Sequence, residues 1–163
     1  MSVVSSDLKF YLTPGSNTDP LLSLGGAGQG SEISAAIDGI FQDVTAAEAA
    51  AGKISYRSIV VKNSNVTDTL YGATIWISTE TSSADTTSAL ALDSGTQSVA
   101  NELAAPSSPT LTFTTPTTQA GGISLGDIAP AGVVRVWLRR TVTAGAVATA
   151  SDAGALSIGG GTI

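Results

Sequence analysis

The stretch Val133-Val134-Arg135-Val136-Trp137-Leu138-Arg139-Arg140-Thr141-Val142 decides the fold class. In an extended chain successive side chains point to opposite faces. Val134, Val136, Leu138 and Val142 therefore share one side, and Arg135, Trp137, Arg139 and Thr141 the other. Two unpaired guanidinium groups are costly to bury, so the valine side is the core side. Arg140 falls on the core side and marks the point where the strand reaches the rim. The stretch from Leu70 to Thr79 behaves alike: Tyr71, Ala73, Ile75 and Ile77 form an apolar face, leaving Thr74, Trp76 and Ser78 on the other. Both tryptophans of the chain thus point away from the predicted core.

Outward from these two strands, β-branched and aromatic runs recur between clusters of Ser, Thr, Gly, Pro and Asn, the pattern of short strands joined by turns. Strands are predicted at 8–13, 56–63, 70–79, 88–93, 110–115, 133–142 and 155–159. About seven short strands in 163 residues predict an all-β chain, a two-sheet sandwich of immunoglobulin-like or jelly-roll-like form, as a single domain over 1–163. The polar runs from Asn63 to Asp68 and from Ala129 to Gly132 mark turns.

One stretch carries a helical period: Ile33, Ile37, Ile40, Phe41 and Val44 recur at three-to-four spacing, interrupted by Gly39. The sharper signal follows it. Thr45-Ala46-Ala47-Glu48 has the spacing of a capping box and the alanine run stops at Gly52, which predicts one short helix at 46–51. Residues 14–32 form a Gly/Ser-rich arm or long loop that carries Leu21, Leu22 and Leu24. Either this arm lies on a neighbour, or its leucines plug the end of their own sandwich.

Composition removes most chemistry. The chain has no His and no Cys, so imidazole acid–base catalysis, thiol nucleophiles and the usual zinc, copper, haem and iron–sulfur ligand sets are absent. Charged residues are 12% of the chain, while Ser and Thr make up about a quarter. Seven cations against 13 acids give a net charge of -6, which leaves no basic patch for a nucleic-acid backbone. The first residues lack a basic and then apolar leader, and no apolar run approaches the ~18 residues of a membrane span. The expectation is a chain made in a cytoplasm, with no nucleic-acid or membrane partner.

No motif restores catalysis. The run Leu24-Gly25-Gly26-Ala27-Gly28-Gln29-Gly30 places Ala where a dinucleotide fingerprint needs Gly, and no strand-to-helix unit surrounds it. Asn65-Val66-Thr67 is a formal glycosylation sequon with nothing to support it. Asp38, Asp43, Glu48, Asp85, Asp93, Asp127 and Asp152 are scattered, without calcium-loop spacing. Lys9, Lys53 and Lys62, the only lysines, read as surface charges. The expected catalytic, cofactor and metal residues are therefore none, and the chain is read as no enzyme.

An exposed aromatic pair is instead a candidate docking surface, because Trp and Arg are enriched at interface hot spots. The interface candidates are Leu21, Leu22, Leu24, Trp76, Arg135, Trp137 and Arg139. The competing reading is that the arm or a long loop of the same chain covers these indoles. For Trp76, a one-residue slip in register would also make it the core tryptophan of an immunoglobulin-like sandwich.

The run from Phe41 to Gly52 followed by Tyr56 to Asn63, and the later run from Leu125 to Gly132 leading into Val136 to Val142 and Ala144-Gly145-Ala146, resemble small structural proteins of tailed-bacteriophage virions, of the capsid decoration or cement type. The resemblance touches both halves of the chain, roughly from Asp7 to Gly160. It implies a non-enzymatic protein on the virion capsid surface, bound to the major capsid protein lattice as a small homo-oligomer such as a trimer, and stabilising the head. The strand pattern is also similar to bacterial immunoglobulin-like modules. That similarity implies a second function, a carbohydrate-binding or adhesive module in which exposed Trp76 and Trp137 stack on sugar rings. A third, a small hydrolase using scattered carboxylates, lacks both His and a tight acid pair.

Overall fold

The computed structural model describes residues 2–107, 110–147 and 153–162. Asp152, one of the scattered acids, lies outside them. Among the described residues, eight strands and one α-helix follow in the order β1 (Leu8–Leu12), β2 (Glu32–Ile33), α1 (Ala46–Ala51), β3 (Lys53–Asn63), β4 (Leu70–Thr79), β5 (Thr86–Asp93), β6 (Ile123–Ile128), β7 (Val133–Val142) and β8 (Ala155–Gly161). They build two antiparallel sheets, a five-stranded one in the order β2-β1-β3-β7-β5 and a three-stranded one in the order β6-β4-β8. No helix among the described residues is long and apolar enough to cross a membrane.

The alternation in β7 holds. Val136 and Leu138 face the core with Ile59 and Val61 of β3 and Leu90 of β5, opposite Ile75 and Ile77 of β4 and Leu156 of β8. Ile59 pairs with Val136 and Trp137 with Ser58, which puts the tryptophan on the outer face of the large sheet. Residues Arg57 to Val61 are nonetheless buried without a break. A strand buried on both faces needs cover on both, and the outer cover is the chain itself.

Both lateral openings of the sandwich are bridged by the chain. Ile33 pairs with Phe10 in the large sheet, and two residues later the Ala35 carbonyl accepts from Leu156 N while Ala36 bridges Ala155 in the small one. On the other side Thr114 exchanges two hydrogen bonds with Leu90, and the Pro116 carbonyl then accepts from Ile77 N. The expected strand at 110–115 is reduced to this crossing. A segment that must leave one sheet for the other cannot continue a ladder, and Pro116 has no N–H to donate.

Two more expectations change. The helical period through Ile33 to Val44 forms no helix; Ile37, Ile40 and Phe41 are buried as a turn that closes one end of the core. The capping-box prediction holds instead: Thr45 Oγ1 accepts from Glu48 N, Glu48 returns to Thr45 N, and α1 ends at Gly52 with φ 79°. Tyr71 does not face the core. Gly72, at φ 55°, makes a bulge against β6, so Leu70 and Ala73 both point inward and Tyr71 is turned out, 41% exposed.

Candidate interaction surfaces

The middle of the large sheet's outer face, around Trp137, is covered. The arm crosses it and is fastened by a knot of hydroxyl groups. Thr13 N donates to Ser23 Oγ at 2.9 Å, Thr13 Oγ1 donates to the Ser58 carbonyl at 3.1 Å, and Ser58 N donates to the Ser23 carbonyl at 2.8 Å. Gly25 N then donates to Thr13 Oγ1 at 3.0 Å, and Gly26 N to the Gln97 carbonyl at 3.0 Å. Gly25 lies so close to the sheet that a Cβ there would stand 2.7 Å from Trp137 Cζ2. Trp137 is 0% exposed, and its indole N–H donates to Asp93 Oδ2 at 2.9 Å.

The flanking arginines are engaged as well. Arg135 donates to the Gly95 carbonyl at 2.7 Å, and the Arg139 guanidinium stands 5.0 Å from the ring of Phe113, which meets Tyr56 edge-on at 5.6 Å. The expected docking surface of Arg135, Trp137 and Arg139 is therefore corrected: these side chains lie outside the sandwich core, as their charge requires, but under a third layer made of residues 13–31, 93–107 and 110–115. Within the arm Leu21 and Leu24 are half-buried and Leu22 is 59% exposed. The leucines do not plug an end of the sandwich; the arm lies across a sheet face. The signals available were the Ser/Gly composition of the arm, which permits close approach, and Asp93, which shares the face through its pairing with Arg135.

Charge is distributed unequally. All seven cations stand on β1, β3 and β7. Each has a partner within the chain. Lys9 pairs with Glu32 at 2.9 Å, Lys62 lies over Tyr11, and Arg140 lies 4.7 Å from the Phe41 ring at the rim, as expected. Lys53 is not a surface charge: its side chain is 8% exposed and bridges Glu48 at 2.7 Å and Glu102 at 2.6 Å, while Glu102 also holds the buried Arg57. Burial opposes the charge on Glu102, but Lys53 and Arg57 outweigh it and keep the carboxyl below its ordinary value. Lys53, with a hydrogen bond and the amide and hydroxyl of Thr45, holds Glu48 down to about 2. Sequence reading missed this network because Glu102 arrives from a loop far along the chain.

The acids do separate structural jobs. Asp93 caps the indole, Asp127 Oδ1 accepts from Gly72 N at 2.8 Å, and Asp85 Oδ2 accepts from Val147 N at 3.1 Å. No three His, Cys, Asp or Glu side chains come together among the described residues. A cleft of about 630 Å³, lined by Ile37, Phe41, Asp43, Val44, Thr86 and Arg140, offers carboxylates and hydroxyls with no imidazole or thiol beside them.

The outer face of the small sheet is different. Trp76 lies there as predicted, half-buried, while its neighbours Ile75 and Ile77 are in the core. Ser157 stands directly across from it, and Gly159 pairs with Thr74 next along the face. The Gln119 side chain occupies the space a Cβ of Gly159 would fill. Tyr71, turned outward by its bulge, lies on the same face. No cation stands on β4, β6 or β8, and their one acid, Asp127, is tied to the bulge.

No family model, curated protein or solved structure matches the chain.

Proposed function

We propose that the chain is a non-enzymatic structural protein of a tailed-phage virion, seated on the outside of the major capsid protein lattice as a small homo-oligomer and stabilising the head. The observation that supports this reading is the placement of the two stretches that carry the resemblance. They are distant in sequence, yet β3 and β7 pair in unbroken register from Lys53 with Val142 to Lys62 with Val133, and form the centre of the large sheet. The self-neutralised cations suit the same role, since a surface of Ser, Thr and Gly meets other proteins over neutral areas without stranding buried charge. Such a protein works by adding contact area across the seams of a shell under outward pressure. Complementarity carries the function, and no bond is made or broken.

The test is thermal. Heads of the same virus that lack the protein should release DNA at a lower temperature than heads carrying it, and adding the purified chain back should restore the difference. Identical release with and without the chain would reject the stabilising role.

A further inference from the structure

We propose that the outer face of β6-β4-β8 is a binding platform for a neutral glycan, with Trp76 and Tyr71 as the stacking groups. Four features converge on it. The bulge at Gly72 reverses the facing of Tyr71 and places a second aromatic on the face of Trp76; bulges commonly serve to re-aim a side chain at a working surface. Asp127 holds that bulge through the amide of Gly72. Around the rings the strands carry Ser124, Ser157, Gly126 and Gly159, so no bulky side chain stands beside the indole on the neighbouring strands. The Gln119 amide, laid over Gly159, adds a donor and an acceptor to the hydroxyls of the face.

Charge and area select the ligand. An ionic group seated here meets no cation, because all seven stand on the other sheet and are engaged there. An acidic sugar would be desolvated without a counter-ion, so the ligand is uncharged. The platform is also small. Three strands about 4.8 Å apart, of ten, six and seven residues at about 3.3 Å each, give roughly 360 Å². A stable protein interface takes about 800 Å² from each partner, so this face is undersized for one. Sugar rings have apolar faces that stack on an indole or a phenol and hydroxyl edges that fit amide and hydroxyl neighbours. Tyr71 and Trp76 are at most about 17 Å apart along the strand and would each take a ring of one oligosaccharide.

The chain contains its own control. Of its two indole N–H groups, that of Trp137 is sealed against Asp93 and that of Trp76 belongs to the platform. In a ¹⁵N-resolved spectrum, titration with cellohexaose, maltohexaose, mannohexaose and N-acetylchitohexaose should move the Trp76 signal for at least one of them and leave that of Trp137 in place. Sialyllactose and a heparin hexasaccharide should move neither. Trp76→Ala and, separately, Tyr71→Ala should each weaken the responding sugar by about tenfold or more in calorimetric titration, with the Trp137 signal unchanged, which certifies the fold. Failure of all four neutral sugars, a preference for the acidic ones, or binding that survives both substitutions would overturn the proposal. So would a Trp76 signal that responds only to protein concentration, which would make the face a contact between copies.

Discussion

The indole N–H of Trp137 donates to Asp93 Oδ2 at 2.9 Å, with the two side chains 0% and 3% exposed. Asp93 also accepts from Gly95 N at 2.8 Å, and the Gly95 carbonyl takes the guanidinium of Arg135. The turn after β5 is thereby clamped down on the tryptophan, and the arm closes over it from the other side. This joins two loops that are far apart in sequence into one covering layer.

Trp137→Ala should therefore act on stability. Removing a fully buried aromatic costs about 3 to 5 kcal/mol, and Asp93→Ala, which strands a buried donor, about 1 to 3 kcal/mol. Urea midpoints at constant slope are the check. A Trp137→Ala protein that unfolds like the parent would mean that the outer layer does not close on this face.

The arm should be protected from amide exchange in the isolated chain. Gly25 N and Gly26 N are held by Thr13 Oγ1 and the Gln97 carbonyl, while Leu22 packs least. Gly25→Ala should release it, since Gly25 has φ 91° and its added methyl would run into Trp137. Free exchange at Gly25 and Gly26 in the unmodified monomer would contradict the docked arm.

Within the sandwich, Ile75→Ala should cost about 2 to 4 kcal/mol and Val136→Ala somewhat less, since both are 0% exposed and belong to one cluster. Thr74→Ala, on the outer face of the same strand, should cost little. Thermal or chemical denaturation of the three variants orders them, and the reverse order would mean that the facing of β4 is wrong.

Acid should loosen α1 and the loop that carries Glu102. Glu48 is held at about 2 against an ordinary value of 4.5, so its charged form is favoured in the folded state. A depressed carboxyl contributes stability that is fully present above about 4.5 and is lost as pH falls through about 2. Glu102, also depressed, adds in the same direction. Glu48→Gln should therefore lower stability at neutral pH and flatten its fall below about pH 4.5. An unchanged acid limb would show that the Glu48–Lys53 pair is spent on solvent.

The long strands were legible because their alternation is strict and two arginines fix the facing of β7. The helix was legible because Thr45, Glu48 and Gly52 spell its two ends. What failed did so for local reasons. Gly72 and Gly126 insert bulges that break the period of two, so Tyr71 was assigned the wrong face and no strand was predicted at β6. Ile33 to Val44 repeats at helical spacing only because a closing turn also drops an apolar side chain inward every few residues. The candidate interface was half legible: alternation puts Trp137 outside the core, but whether an outer face is open depends on where a loop lies. Nothing in local sequence says that Gly25 and Asp93 meet over one indole. Trp76, half-buried on the face that Gln119 also reaches, stayed where alternation placed it.

The most direct measurement of the virion assignment is cosedimentation of the purified chain with expanded heads of the same virus that lack it. The account predicts saturable binding at a fixed number of copies per capsomer, retained in Trp76→Ala and insensitive to added neutral glycan. A chain that stays in the supernatant at every concentration, while the heads themselves remain intact, would contradict it.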